Sequence, residues 1–282
     1  MNKIYIVTDS TADIPSKFAK EHNVYVLPLT ITHKGKTYRD GIDINTEGLL
    51  KMLQDEELPK TSQVNPKLFM DLYSNIIKKG GEIISIHLSS GLSGVYQSAC
   101  IAKDLIGSDK IHIFDSKNVS FGTGLLVYET VRMVESGYTI NDIVENLNSL
   151  IPRVRMEFVV DTLEYLSKGG RISNVAATVG NLLNIKPIVY TKDGKLEVLD
   201  KPRGAKRAYN RMIQYLEEET IDKNLCFCVG NVACTDEANE VIKMIKDTFN
   251  INDIYTINAG PSIATYCGPG TIGIYFFTRD EK

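Results

Sequence analysis

A short turn rich in serine and glycine carries the strongest chemical signal in this sequence. Residues 89–94 read SSGLSG, between an apolar run at 83–88 and a segment at 95–107 with the apolar spacing of a helix. In open α/β sheets ligands bind beside the carboxyl ends of strands, and the free N–H groups at a helix start attract small anions. The turn therefore predicts a site for a carboxylate or a phosphate. The alternative is that Ser93 is only a helix cap.

A second segment offers further hydroxyl groups. Residues 61–66 read TSQVNP and precede a predicted helix at 67–78. One interpretation is a loop with Asn65 as cap and proline at the first helical position. The other is that Thr61 and Ser62 add hydroxyls to the site made by Ser93. The spacing leaves both interpretations open.

Motifs for the common catalytic reactions are missing. Ser93 lies in GLSGV, which lacks the final glycine of a Gly-x-Ser-x-Gly elbow. His87 and His112 lie inside predicted strands, and none of the four histidines is placed as a triad base. The sequence contains neither a phosphate-binding P-loop nor a dinucleotide fingerprint. It does place a fixed positive charge, Arg171, on a Lys-Gly-Gly-Arg turn, so we expect an anion-binding protein without catalytic residues of its own.

The cysteines predict neither a metal site nor a disulfide framework. Five cysteines are an odd number without framework spacing, and no histidine lies near them in sequence. The N-terminal apolar run is too short for a signal peptide, and no run reaches membrane-spanning length. We therefore expect a cytoplasmic protein with reduced thiols, no metal and no cofactor.

The order of predicted elements indicates an α/β protein with two domains. The chain has 282 residues, of which 43% are hydrophobic and 24% charged, as in ordinary soluble globular proteins. Strands and helices alternate through residues 1–156, which predicts a parallel sheet with helices on both faces. Residues 157–282 contain a hairpin with an Asp-Gly turn at 193–194, which predicts a second α/β domain with a mixed sheet.

Charge and hydropathy are unevenly distributed in the second half. Residues 172–185 contain no charged side chain, so they form either a core helix or an apolar wall beside a lipid tail. Between Asp161 and Tyr215 there are ten Lys and Arg against five Asp and Glu, although the net charge of the chain is −3. That net charge argues against general nucleic-acid binding. The local excess is either a solvated face or a field that attracts a negatively charged partner.

Six short motifs, in order along nearly the whole chain, resemble the DegV family of bacterial fatty-acid-binding proteins: VTDSTADIP, YRDGIDI, TSQVNP, SSGLSGVYQSA, LEYLSKGGRIS and GPGTIG. The resemblance implies a two-domain DegV-like fold that binds one long-chain fatty acid, such as palmitate or oleate. The carboxylate would lie near the domain junction and the acyl chain inside the second domain. FakB members of the family are subunits of a fatty acid kinase, whose separate kinase protein phosphorylates the bound fatty acid for phospholipid synthesis.

The resemblance also implies roles for individual residues. The carboxylate-binding threonine and serine of the family fall on Thr61 and Ser93. From the residues themselves we expect the Ser62 hydroxyl and the backbone N–H groups around Gly94 to support the site. The basic residue of the KGGR motif falls on Arg171, facing the phosphate or supporting the site. Tyr266 stands where many members have histidine; it can donate a hydrogen bond but has no charge to offer near neutral pH. We expect a basic cluster to dock the kinase: Lys201, Arg203, Lys206 and Arg207.

The leading interpretation is a lipid-binding carrier that presents its ligand to a partner kinase and does not catalyse by itself. A Ser93-dependent hydrolase or transferase is one alternative, and it needs a base within reach of Ser93. A sensor that uses the same site for another acidic ligand is the other.

Overall fold

The first sheet of the computed structural model, which describes residues 3–173 and 184–279, is parallel as predicted. Its four strands lie in the order β2-β1-β6-β7. The two central strands, β1 and β6, are buried along most of their length because helices cover both faces of the sheet. They are β1 (Ile4–Asp9), β2 (Tyr25–Leu27), β6 (Glu82–His87) and β7 (Ile111–Asp115).

Helices follow the strands of this sheet, and their ends match the sequence signals. Asn45 caps α2, Asn65 caps α3 beside Pro66, and Thr139 forms a capping box with Asp142 at the start of α6. The helices of this part are α1 (Ser16–Glu21), α2 (Thr46–Met52), α3 (Pro66–Lys78), α4 (Val95–Ile106), α5 (Phe121–Glu135) and α6 (Ile140–Leu150). Two short 3₁₀ turns, Ser10–Ala12 and Ile151–Arg153, complete it.

The second sheet has six strands and is mixed, also as predicted. Its order is β10-β9-β8-β13-β11-β12, and only the β11–β12 pair is parallel. The central strand β13 is buried along its whole length, which explains its uninterrupted apolar sequence IGIYFF. The strands are β8 (Val154–Val159), β9 (Ile188–Lys192), β10 (Lys195–Asp200), β11 (Cys228–Asn231), β12 (Tyr255–Asn258) and β13 (Ile272–Phe277).

Among its described residues, the second part contains four helices: α7 (Glu164–Lys168), α8 (Ala205–Glu218), α9 (Thr235–Phe249) and α10 (Pro261–Cys267). The last of these departs from the sequence pattern, because the Gly-Pro pair at 260–261 and the Gly-Pro-Gly run at 268–270 predict a loop. With seven residues between Gly260 and Gly268, α10 is too short to show a helical apolar period. Tertiary packing of its buried face, rather than propensity, stabilises so short a helix.

The structure contains a third sheet that the sequence did not predict. Its antiparallel strands lie in the order β4-β3-β5 and comprise β3 (Thr30–His33), β4 (Lys36–Arg39) and β5 (Lys60–Ser62). The sequence HKGK at 33–36 predicts a hairpin turn, and the β3–β4 hairpin forms there, whereas the loop interpretation of 61–66 did not include β5. Three residues are too few to reveal the alternation of a strand.

The predicted domain boundary between residues 156 and 157 falls inside β8. A domain boundary before Val154 would keep that strand within one domain. The division into two domains stays a prediction. The uncharged helix predicted at 172–185 lies, over residues 174–183, outside the described residues. Within the described part of the chain no helix is both long and apolar enough to cross a membrane.

Candidate functional site

A cavity lies between the loops of the first sheet and one face of the second. Thr11 follows β1, Leu88 and Ser93 follow β6, and Ser120 follows β7. The carboxyl ends of three parallel strands thus converge on the cavity, as expected for an open α/β sheet. The opposite wall is apolar, with Met156, Phe158, Leu196, Val232 and Ile263 among its residues.

Two glycines on the second sheet line the cavity without projecting a side chain into it. Gly230 of β11 and Gly273 of β13 lie opposite each other in the sheet register. A Cβ on Gly273 would come within 2.8 Å of the Tyr275 hydroxyl, and one on Gly230 within 3.0 Å of Ile257 Cγ1. Any side chain here would therefore fill the cavity or displace its neighbours. The pair leaves room along the sheet for a ligand.

The polar end of the cavity joins residues that are far apart in sequence. Thr61 Oγ1 lies 2.7 Å from the Tyr266 hydroxyl, at hydrogen-bonding distance. The guanidinium of Arg171 stacks on the Tyr266 ring, 4.4 Å from its centroid. Ser93 lines the same cavity. The structure thus brings together Thr61, Ser93, Arg171 and Tyr266, four of the predicted site residues.

The Lys-Gly-Gly-Arg turn holds Arg171 in this position. Arg171 Nε donates to the Leu92 carbonyl at 3.3 Å, and Nη1 donates to the Gly169 carbonyl at 2.5 Å. A Cβ on Gly169 would overlap the Tyr266 ring, so only glycine lets the turn approach the aromatic side chain. A fixed positive charge therefore lies beside the hydroxyl pair.

The serine-rich turn is anchored on the second sheet. Ser89 Oγ donates to the Gly194 carbonyl at 2.6 Å, in the turn between β9 and β10. A Cβ on Gly91 would come within 2.6 Å of the same oxygen, which explains the glycine at that position. The N-cap of α4 is Gly94, without any side-chain cap. The simpler expectation that Ser93 is only a helix cap is therefore wrong, and its hydroxyl is available to the cavity.

The other two residues expected to support the site do not line the cavity. Ser62 is exposed and pairs with Thr30 in β3, whereas the preceding Thr61 reaches the cavity; successive side chains of a strand point to opposite faces. Gly94 contributes by its lack of a side chain, because a Cβ there would overlap Gln63 Oε1. It lets the 61–63 segment lie against α4, where Gln63 Nε2 donates to Ser98 Oγ at 3.0 Å.

A buried polar chain below the cavity was missed by the sequence analysis. The Tyr275 hydroxyl donates to Ser120 Oγ at 3.0 Å, and Ser120 Oγ donates to Asp13 Oδ2 at 2.6 Å. The Gly260 N–H donates to Asp13 Oδ1 at 2.8 Å. Burial raises the pKa of Asp13 to about 8. The signal was the run of acidic and hydroxyl residues directly after β1.

His87 belongs to a second buried chain. Its Nδ1 lies 2.9 Å from Asp9 Oδ2, and its Nε2 lies 2.7 Å from Ser85 Oγ. This is a serine–histidine–aspartate arrangement, but Ser85 and His87 are 0% exposed and cannot meet a substrate. Among the described residues that line the cavity there is no histidine to serve Ser93 as a base.

The predicted docking residues lie outside the cavity and are exposed: Lys201, Arg203, Lys206 and Arg207. They connect the end of β10 to the first turn of α8. Lys201 also lines a surface groove that includes Arg171 and Lys195, so the basic segment continues toward the mouth of the cavity. Within the described ranges, no group of three or more His, Cys, Asp or Glu residues is arranged to hold a metal ion.

The sequence profile of the DegV family matches residues 3–279. A DegV domain-containing protein of Caldanaerobacter subterraneus subsp. tengcongensis is 38% identical over 281 residues, which cover 98% of this chain and 99% of that protein. One from Staphylococcus aureus (strain COL) is 36% identical over 282 residues, covering 97% and 98%.

Solved structures of similar proteins have the same fold. A DegV family protein from Thermus thermophilus, described with fatty acid binding, superposes with a TM-score of 0.90 at 27% identity, covering 98% of this chain and all of that one. DegV from Bacillus subtilis, described as a fatty acid binding protein, gives 0.85 at 30% identity, covering 99% and 100%. A stearic acid-binding protein from Eubacterium ventriosum gives 0.89 at 29% identity, covering 99% and 98%.

Proposed function

Because this chain belongs to the DegV family, we propose that it binds a long-chain fatty acid, with the carboxylate between Thr61 and Ser93 and the acyl chain along the cavity. The observation that carries the proposal is the apolar-walled cavity that ends at a cluster of hydroxyl groups beside a fixed guanidinium. The solved relatives described as fatty-acid-binding support the same ligand class.

The acyl chain supplies most of the binding free energy. Burial of each methylene contributes about 0.8 kcal/mol, so the roughly fourteen methylenes of palmitate contribute about 11 kcal/mol before ordering costs. The apolar wall of Met156, Phe158, Leu196 and Ile263 provides the surface for this burial. The absence of side chains at Gly230 and Gly273 leaves space in the cavity for the acyl chain.

The head group needs hydrogen bonds, because a carboxylate removed from water without them is strongly destabilised. If Tyr266 donates to Thr61 Oγ1, the Thr61 proton is free to point at the ligand. Ser93 supplies a second hydroxyl donor, and Arg171 supplies positive charge from behind the Tyr266 ring. Because the two hydroxyl groups proposed to touch the carboxylate are neutral, they retain it while leaving one of its oxygens nucleophilic.

We further propose that the protein presents this carboxylate to a separate fatty acid kinase and carries the acyl phosphate toward phospholipid synthesis. The described cavity lining offers Ser93 no histidine base, which favours catalysis by a partner. The exposed segment of Lys201, Arg203, Lys206 and Arg207 is the proposed docking surface, and its continuity with the groove at Arg171 brings a partner near the head group.

Lipid extraction from the purified protein tests the binding proposal. Mass spectrometry should find a near-stoichiometric fatty acid in the wild type and markedly less in Ser93→Ala. Ser62→Ala is the matched control, because that serine is exposed and does not line the cavity. Equal lipid content in Ser93→Ala and Ser62→Ala would exclude the proposed role of Ser93. A different acidic ligand would favour the sensor, and covalent labelling of Ser93 by a fluorophosphonate would favour the hydrolase.

The kinase proposal has an independent test. Wild-type protein loaded with oleate should support ATP consumption by a bacterial fatty acid kinase protein, whereas the Lys206→Glu, Arg207→Glu double variant should support less at equal lipid content. Loss of lipid from the double variant would place these residues in folding or binding instead of docking.

A further inference from the structure

Most polar side chains that line the cavity already have partners within the protein. The Thr11 hydroxyl bonds to Asp9, and Thr271 Oγ1 donates to the Cys267 carbonyl at 3.0 Å. Asn231 Oδ1 accepts from the Cys234 N–H at 3.1 Å. The remaining pairs, Thr61 with Tyr266 and Tyr275 with Ser120, were described above. With the Ser93 hydroxyl and the Thr61 proton assigned to the proposed carboxylate, the groups paired here leave little further hydrogen-bonding capacity in the walls.

Ser262 is different. It lines the cavity, it is 2% exposed, and its Oγ has no hydrogen-bond partner. Only its backbone N–H is bonded, to Asp40 Oδ1 at 3.3 Å. Buried hydroxyl groups in native proteins nearly always have a partner, because an unpaired one is destabilising. A buried, unpaired hydroxyl in a ligand cavity therefore indicates a polar atom of the ligand.

The position of Ser262 identifies which part of the ligand it meets. Ser262 and Tyr266 are four residues apart on α10, about 6 Å along the helix axis, and both line the cavity. Tyr266 contacts Thr61 at the polar end. Ser262 is thus one helical turn from the residue that contacts Thr61, and the acyl carbons next to the carboxylate are the part of the proposed ligand nearest to that residue.

We propose that Ser262 is a specificity-determining residue that binds a hydroxyl substituent at carbon 2 or 3 of the fatty acid. This inference rests on the proposed function. A plain fatty acid leaves the Ser262 hydroxyl unpaired, whereas a 2- or 3-hydroxy acid pairs it. The cavity therefore accepts hydroxylated acyl chains that a wholly apolar pocket would exclude.

Asp40 is the competing partner within the protein. The Ser262 hydroxyl faces its carboxylate closely enough to favour the charged form, although without hydrogen-bonding geometry. Asp40 is already bonded by Ser10 Oγ at 2.7 Å and by the Ser262 N–H. A role confined to Asp40 would affect stability and not ligand choice, which separates the two roles experimentally.

Competition binding on delipidated protein tests the proposal. Palmitate, 2-hydroxypalmitate, 3-hydroxypalmitate and 16-hydroxypalmitate each displace a fluorescent fatty acid from the wild type and from Ser262→Ala. The affinity of one of the 2- and 3-hydroxy acids relative to palmitate should fall about three- to tenfold in Ser262→Ala, the range of one net hydrogen bond. The relative affinity of 16-hydroxypalmitate should not change.

Thr265→Val is the matched control. Thr265 is buried on the same helix, donates to the Pro261 carbonyl at 2.9 Å and does not line the cavity, so its loss should leave the ratios unchanged. Equal ratios in wild type and Ser262→Ala overturn the proposal, and a change only in melting temperature assigns Ser262 to Asp40. Failure of the wild type to bind palmitate at all would refute the proposed function instead.

Discussion

Replacement of Asp13 by asparagine should change how the stability of this protein depends on pH. Asp13 is buried between Ser120 Oγ and the Gly260 N–H, and burial raises its pKa to about 8 from an ordinary value near 3.8. The folded protein therefore keeps a proton that the unfolded chain loses at much lower pH. An asparagine at this position does not titrate.

The direction of the pH effect on stability follows from the number of protons that each state binds. Between the two pKa values the folded state binds more protons, so the free energy of unfolding falls as pH rises. The contribution is fully present below about pH 4 and is lost by about pH 8. Its slope is about 1.4 kcal/mol per pH unit, with a limit of about 6 kcal/mol over the whole window.

The assay is urea unfolding at a series of pH values from 5.5 to 7.5. Asp13→Asn should gain about 3 kcal/mol over the wild type across these two pH units, because only the wild type loses stability through Asp13. Glu157, whose pKa burial also raises to about 8, adds an equal slope to both proteins and cancels in the difference. Asp193→Asn, at an exposed turn, is the control and should follow the wild type. Parallel curves for Asp13→Asn and wild type would refute the reasoning.

Two further predictions concern the cavity itself. Gly273→Ala places a methyl group within 2.8 Å of the Tyr275 hydroxyl, so lipids extracted from this variant should shift toward shorter chains; an unchanged chain-length profile would contradict the role of the glycine. Tyr266→Phe removes the hydrogen bond to Thr61 but keeps the ring under Arg171, so the affinity for palmitate should fall about three- to tenfold in a displacement assay, and equal affinity would show that Thr61 needs no such support.

Local patterns were sufficient where a structural element is long or its turn chemistry is distinctive. The apolar run before SSGLSG predicted β6, and the spacing after it predicted α4. The cap of α3 at Asn65 followed from residue types alone, because the side chain that bonds the free N–H group lies within three residues of it. Alternating strands and helices predicted the parallel first sheet, and the motifs predicted the family.

Only the tertiary structure decided which hydroxyl groups meet. Thr61 and Tyr266 are 205 residues apart, and Asp13 and Gly260 are 247 apart, so no local pattern relates them. The elements that place them, β5 and α10, have three and seven residues and are too short to show a period. They are ordered by packing against the rest of the fold. The sequence by itself therefore determined the framework and the serine- and glycine-rich turn after β6, whereas long-range packing selected Thr61 over Ser62, brought Tyr266 under Arg171, and left the Ser262 hydroxyl buried without a hydrogen bond.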